Sequence, residues 1–100
     1  MKLKITITGP KVHDVGYRPF LLSGALDLEI ERFKATNIIK NGVQTVAVAL
    51  EGSEDQINAF KEFVQNEKPE SAEVSNIEFA DFDGYVMRTE MYSMWNLTVQ

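Results

Sequence analysis

Asn41-Gly42 is the feature that most narrows what this chain folds into. Both residues tolerate positive φ, as a two-residue hairpin turn requires, so the segments on either side lie adjacent and antiparallel. Before the turn, Phe33, Ala35 and Asn37 share one face of a strand, leaving Lys34 and Thr36 on the other. After it, Val46, Val48 and Leu50 share a face of a return strand over 43–51. Ala47 and Ala49 make the opposite side small and apolar, the pattern of a face that is also partly covered.

The remaining elements follow from periodicity and punctuation. Leu3, Ile5 and Ile7 alternate with Lys4, Thr6 and Thr8, as in a strand buried on one face, and Gly9-Pro10 stops it. Phe20, Leu21, Leu22, Ala25, Leu26 and Leu28 form an apolar helical stripe, ended by Asp27 and the polar Glu29–Arg32 region. Gly24 within it costs about 1 kcal/mol relative to Ala, and close packing against the sheet is the expected compensation. Ser53 reads as the N-cap of a second helix, with Gln56 completing a capping box and Ile57, Phe60, Phe63 and Val64 facing the core. After a loop over 67–71, Ile77 and Phe79 mark a strand within about 72–81, and Trp95, Leu97 and Val99 alternate as in a last one. Between them, the run 82–93 reads as an extended loop or a ragged edge hairpin. The order βαββαβ with an additional C-terminal strand is a ferredoxin-like α+β sandwich, an antiparallel sheet with two helices on one face. One such domain accounts for residues 1–100. The fold alone carries no activity.

With a net charge of −5 and a pI near 4.8, the chain lacks the basic surface that binding a phosphate backbone needs, so no nucleic acid is expected as a partner. There is no cysteine, which removes disulfides, thiolate catalysis and sulfur-ligated metals together. The N-terminus turns polar too soon for a signal peptide and no apolar run approaches a membrane span. Cytoplasmic residence and a monomer are the default expectations, without membrane contact.

The richest stretch chemically is Val12-His13-Asp14-Val15-Gly16-Tyr17-Arg18-Pro19-Phe20. It links the first strand to the first helix, and Pro19 suits a first helical turn, where its missing N–H has no partner to lose. Peptide N–H groups before such a helix point outward together and can surround a phosphate, backed by the positive end of the helix dipole. Arg18 adds a planar fork able to bind two phosphate oxygens. By spacing alone, the same turn also fits a solvated helix cap.

Val12–Arg18 resembles the V-Q-G-V-G-[FY]-R signature of the acylphosphatase family, and Pro19-Phe20 is similar to the acylphosphatase domain that opens hydrogenase-maturation carbamoyltransferases. Phe33–Asn37 resembles the family's G-[WY]-V-x-N, Val48–Gly52 its V-x-x-E-G, and Pro69–Ile77 its P-x-x-A-x-V-x-x-[VI]. Their order spans nearly the whole chain. The resemblance implies hydrolysis of small acyl phosphates to a carboxylate and phosphate, with neither metal nor cofactor. Residue by residue, it implies that the loop His13, Asp14, Val15, Gly16, Tyr17 and Arg18 holds the phosphoryl group, with Arg18 and Asn37 catalytic and Asn37 orienting the attacking water. No side-chain nucleophile is needed, because positioning and neutralisation of phosphoryl oxygens can supply most of the acceleration.

The sequence departs from the family pattern at two loop positions. His13 stands in place of Gln, and is read as a polar support of the loop rather than a general base; one His with one Asp is no metal signature. Asp14 stands in place of Gly. A carboxylate about 5 Å from a phosphate oxygen repels it by roughly 3 kcal/mol at an effective dielectric near 20, although Asp does tolerate a left-handed backbone. There is also one extra residue between Gly9 and Val12 and another between Asn37 and Gly42. These departures leave a second expectation open, a catalytically weak or inactive acylphosphatase-like module that binds an anion, a metabolite or a protein partner.

Overall fold

The computed structural model describes the backbone of residues 1–99 and side chains through Asn96. Its elements are β1 (Lys2–Thr8), α1 (Tyr17–Asp27), β2 (Arg32–Lys40), β3 (Val43–Glu51), α2 (Glu54–Asn66), β4 (Asn76–Asp81) and α3 (Thr89–Val99). The strands form one antiparallel sheet in the order β2-β3-β1-β4. This is the expected ferredoxin-like sandwich. β2 and β3 meet through a two-residue turn in which Lys40 pairs with Val43, with Asn41 at φ 53° and Gly42 at φ 78°. No helix among the described residues is long and apolar enough to cross a membrane.

The alternation of the strands sorts the sheet into two faces. Leu3, Ile5 and Ile7 of β1 pair with Leu50, Val48 and Val46 of β3, and these in turn flank Phe33, Ala35 and Asn37 of β2. All but Asn37 are buried, and with Leu21, Ala25, Ile57, Phe60 and Tyr92 they form the core under the helices. Phe33 is its hub: its ring meets Phe60 of α2 edge-on at 5.9 Å and Tyr92 of α3 at 5.4 Å. Ser53 caps α2 in a reciprocal capping box with Gln56, as its sequence predicts. Gln56 also donates through Nε2 to the carbonyls of Leu28 and Glu29, so one amide joins the start of α2 to the end of α1. That end is set by Glu29, which takes a left-handed φ of 57° and turns the chain into β2.

Two expectations are corrected. The C-terminal alternation does not produce a strand: Thr89–Val99 is helical, so the run 82–93, expected as an extended loop or ragged edge hairpin, is irregular only as far as Arg88. Buried Tyr92 and Asn96 are four residues apart on one face, while Met91, Met94 and Trp95 are exposed, which is a helical period. The outer edge of β2 is already occupied where it begins, since the Phe33 N–H donates to the Met87 carbonyl. The side chains of Leu97 and Val99 lie outside the described residues. Gly24, in turn, approaches α2 rather than the sheet: a Cβ there would overlap the ring of Phe63, which stacks on Phe20 at 5.0 Å.

Gly24→Ala is therefore expected to destabilise the protein by about 1–2 kcal/mol in urea unfolding, overpacking exceeding the roughly 1 kcal/mol gain in helix propensity. A second change, Phe63→Leu, should make the same alanine neutral or stabilising. Equal effects in both backgrounds would mean that the close approach of α1 and α2 does not require glycine.

Candidate active site

The loop between β1 and α1 is fastened to the sheet before it reaches the helix. Gly9 N–H donates to the Gln44 carbonyl, and Lys11 and Glu73 exchange backbone hydrogen bonds on the other side. The N–H groups of Val12 and His13 both donate to Gln44 Oε1, each at 3.0 Å. His13 Nε2 lies 2.9 Å from the Thr45 carbonyl, which can only accept, so this nitrogen carries the proton. His13 thus holds the loop, as a polar support does, and both its amide and its ring face β3 rather than the cavity described below.

Beyond His13 the backbone changes character. Asp14 (φ 58°) and Gly16 (φ 75°) adopt left-handed conformations on either side of Val15. Successive N–H groups with such reversals form a concave nest that suits an anion. Gly16 is the N-cap of α1 and offers no side-chain cap. Among the described residues, the N–H groups from Asp14 to Arg18 donate to no acceptor. Gly16 is needed here for its φ, with open space where a Cβ would stand.

A cavity of about 180 Å³ lies at this point, lined by Val12, Asp14, Gly16, Tyr17, Arg18, Pro19 and Asn37. It brings together Arg18 from α1, Asn37 from β2 and the loop between them. Val15, by contrast, packs against the core with its side chain. Among the described residues the buried Asn37 Oδ1 has no hydrogen-bond partner, and neither does the buried Tyr17 hydroxyl. Asp14, an exposed residue, lines the same cavity. A larger cavity of about 290 Å³ elsewhere is lined by Glu29, Glu31 and Glu51 together with Arg32 and Met1 and by none of the loop, so its carboxylates outnumber its cations. Among the described residues no group of three or more His, Asp or Glu is placed to hold a metal ion.

The acylphosphatase family model matches residues 3–90. The chain belongs to the acylphosphatase family. Among solved structures, the acylphosphatase from Bacillus subtilis is 22% identical with a TM-score of 0.61, over 80% of this chain and 83% of that one. The acylphosphatase from Coxiella burnetii is 21% identical with a TM-score of 0.59, over 84% of this chain and 85% of that one. Full-length HypF, in a phosphate- and nucleotide-bound form, is 20% identical with a TM-score of 0.58; the match covers 83% of this chain and 10% of HypF. At these identities the likeness concerns the fold. No curated protein sequence matches the chain.

The match to the acylphosphatase family ends two residues into α3, and this helix brings a new neighbour to the site. Tyr92 donates from its hydroxyl to the Ala35 carbonyl at 2.7 Å, two residues before Asn37 on β2. Burial pushes the Tyr92 phenol above its ordinary value of 10.0, while the nearby Arg18 charge pulls it back down, so Arg18 lies within electrostatic reach of α3. Sequence reasoning missed both Gln44 and Tyr92. Neither carries a local signal, since each acts through a bond to a residue at least 31 positions away.

Burial alone raises the Tyr17 phenol. A phenol raised by folding keeps its proton more tightly in the native state, so its contribution is intact below 10.0 and is lost as pH climbs through the raised value. Tyr17→Phe also removes a hydroxyl without a partner. It is expected to leave stability unchanged or raise it by up to about 1 kcal/mol at neutral pH, and to soften the alkaline loss seen in urea unfolding. A destabilised variant with an unaltered alkaline limb would contradict this.

Proposed function

We propose that this member of the acylphosphatase family hydrolyses the carboxyl–phosphate bond of small acyl phosphates, giving a carboxylate and inorganic phosphate. The observation that carries the reading is that one cavity is lined by Arg18, by Asn37 with its buried Oδ1, and by Asp14, Gly16 and Tyr17 of the loop, while that Oδ1 and the loop N–H groups have no hydrogen-bond partner among the described residues.

In this reading the N–H nest and the Arg18 guanidinium hold the phosphoryl oxygens and neutralise charge as it develops on them. Asn37 Oδ1, an acceptor without a donor, takes a hydrogen bond from a water and aims its lone pair at phosphorus. Water attacks, the bond from phosphorus to the acyl oxygen breaks with its electron pair leaving on the carboxylate, and both protons of the water stay with the phosphoryl group, which departs as dihydrogen phosphate. A carboxylate is a stable leaving group that needs no protonation at neutral pH. No covalent enzyme intermediate, metal or cofactor enters the proposed mechanism. All groups come from one chain, so the proposal includes action as a monomer. Cytoplasmic residence is part of the same proposal.

Exposed Asp14 in the cavity wall supports a second reading, a slow or silent member of the family that retains anion binding. Solvent screening reduces its repulsion to a factor of about ten in phosphate affinity. Its left-handed φ of 58° suits glycine, so Asp14→Gly should relieve charge and strain together.

Hydrolysis of acetyl phosphate, measured with a metal chelator present, separates the readings. The native chain is expected to exceed background, Arg18→Ala and Asn37→Ala to lose about a hundredfold or more, and Asp14→Gly to gain about tenfold. Turnover unaffected by both alanines would refute the assigned site. Inactivity of the native chain with gain in Asp14→Gly favours the second reading.

A further inference from the structure

The face of the sheet opposite the helices carries a second cavity, of about 220 Å³, that has no part in the chemistry above. It exists because the segment after β4 does not leave the sheet. Lys2 Nζ donates to the Gly84 carbonyl at 2.8 Å, Arg32 donates to the Val86 carbonyl at 2.9 Å, and the Arg32 guanidinium lies 5.6 Å from the centre of the Tyr85 ring. These three contacts hold residues 82–86 as a strap across the outer face, from the β4 edge to the β2 edge. Phe82 and Tyr85 then form an aromatic wall beside an open patch of sheet.

The floor of that patch is defined by the register. Lys4, Ala49 and Lys34 stand in one row across β1, β3 and β2, and Thr6, Ala47 and Thr36 in the next. Two alanines on the middle strand leave a depression, and the lysines flank it two strand spacings apart, about 10 Å between their Cα atoms. Neither Lys4 nor Lys34 has an ion-pair partner among the described residues. The outer face gathers Lys2, Lys4, Arg32, Lys34 and Lys40 against Glu51, Glu78 and the strap's Asp83, although the whole chain has a net charge of −5. Positive charge is thus concentrated where the apolar floor and the aromatic wall meet. The cavity falls below the roughly 300–1,000 Å³ that holds drug-sized ligands, which limits the occupant to about one ring.

We propose that this cavity is a binding site for a small aromatic anion, its ring lying on Ala47 and Ala49 beside Phe82 and Tyr85, and its anionic group between Lys4 and Lys34. The chemistry divides cleanly. An apolar floor and ring edges favour a flat hydrophobic body, two unpaired ammonium groups favour negative charge, and neither alone selects both. The assignment is independent of the hydrolase reading, because it shares no residue with the cavity of Arg18 and Asn37.

The test is titration of the isotope-labelled full chain with benzoate, followed by backbone amide shifts, with benzamide as the neutral control. Saturable shifts are expected at Lys4, Lys34, Ala47, Ala49 and the 82–86 strap, with benzamide bound at least about tenfold more weakly. The double variant Lys4→Gln/Lys34→Gln should lose about tenfold, as expected for two exposed ion pairs. Ala49→Leu, which fills the floor without touching charge, should lose as much and guards against a folding defect in the first variant. Arg18→Ala should bind benzoate normally. Equal binding of benzoate and benzamide, unchanged binding in either outer-face variant, or shifts confined to the 14–18 loop would each overturn the proposal.

Discussion

One side-chain oxygen, Gln44 Oε1, determines where the free donors of this protein lie. By accepting from both Val12 and His13 it ends the stretch of loop that is tied to β3. Everything after it, from Asp14 to Arg18, is left with N–H groups that donate to no acceptor among the described residues. Had the oxygen been absent, two more amides would need partners at a cost of about 1–3 kcal/mol each if buried, and the loop would have no fixed entry into α1. His13 reinforces the same anchorage through Thr45. The substitution of His for the family's usual Gln therefore reads as a change in how the loop is fastened.

The site also depends on the geometry of the β2–β3 hairpin. The tight Asn41-Gly42 turn fixes the register that places Asn37 opposite Val46, on the helix side of an edge strand. The same register sets Gln44 opposite Ile39, near the turn and beneath the loop. Hairpin and loop thus position each other, and the donors and the acceptor of the cavity come from segments that share these bonds. α3 adds a further constraint: Phe33 packs on Tyr92, and Tyr92 bonds Ala35, so the strand bearing Asn37 is held from above as well as from its neighbour.

Much of this was legible because its signals are local. The hairpin is written in two adjacent residues, the α2 cap in four, and the inner faces of β1 and β3 in simple alternation. The candidate residues Arg18 and Asn37 were named from short motifs, and the fold brings them to one cavity. What escaped was non-local. The strap over 82–86 is held by bonds from Lys2 and Arg32 across separations of 82 and 54 residues, for which no sequence pattern exists. The C-terminal helix escaped because three alternating apolar residues fit a strand, whereas the burial of Tyr92 and Asn96 only becomes a helical period once the core is known. Gly24 marked a close approach, yet the sequence held no indication that its neighbour was Phe63.

In the proposed site an oxyanion is held by the N–H groups after Gln44's anchor together with Arg18. Titration of isotope-labelled protein with inorganic phosphate tests this without requiring turnover. Saturable shifts are predicted at Val15, Gly16, Tyr17 and Arg18 and at the Asn37 side-chain amide, with Val12 and His13 little affected and all of it lost in Arg18→Ala. A loop that stays silent, or one that responds equally without Arg18, would contradict the account.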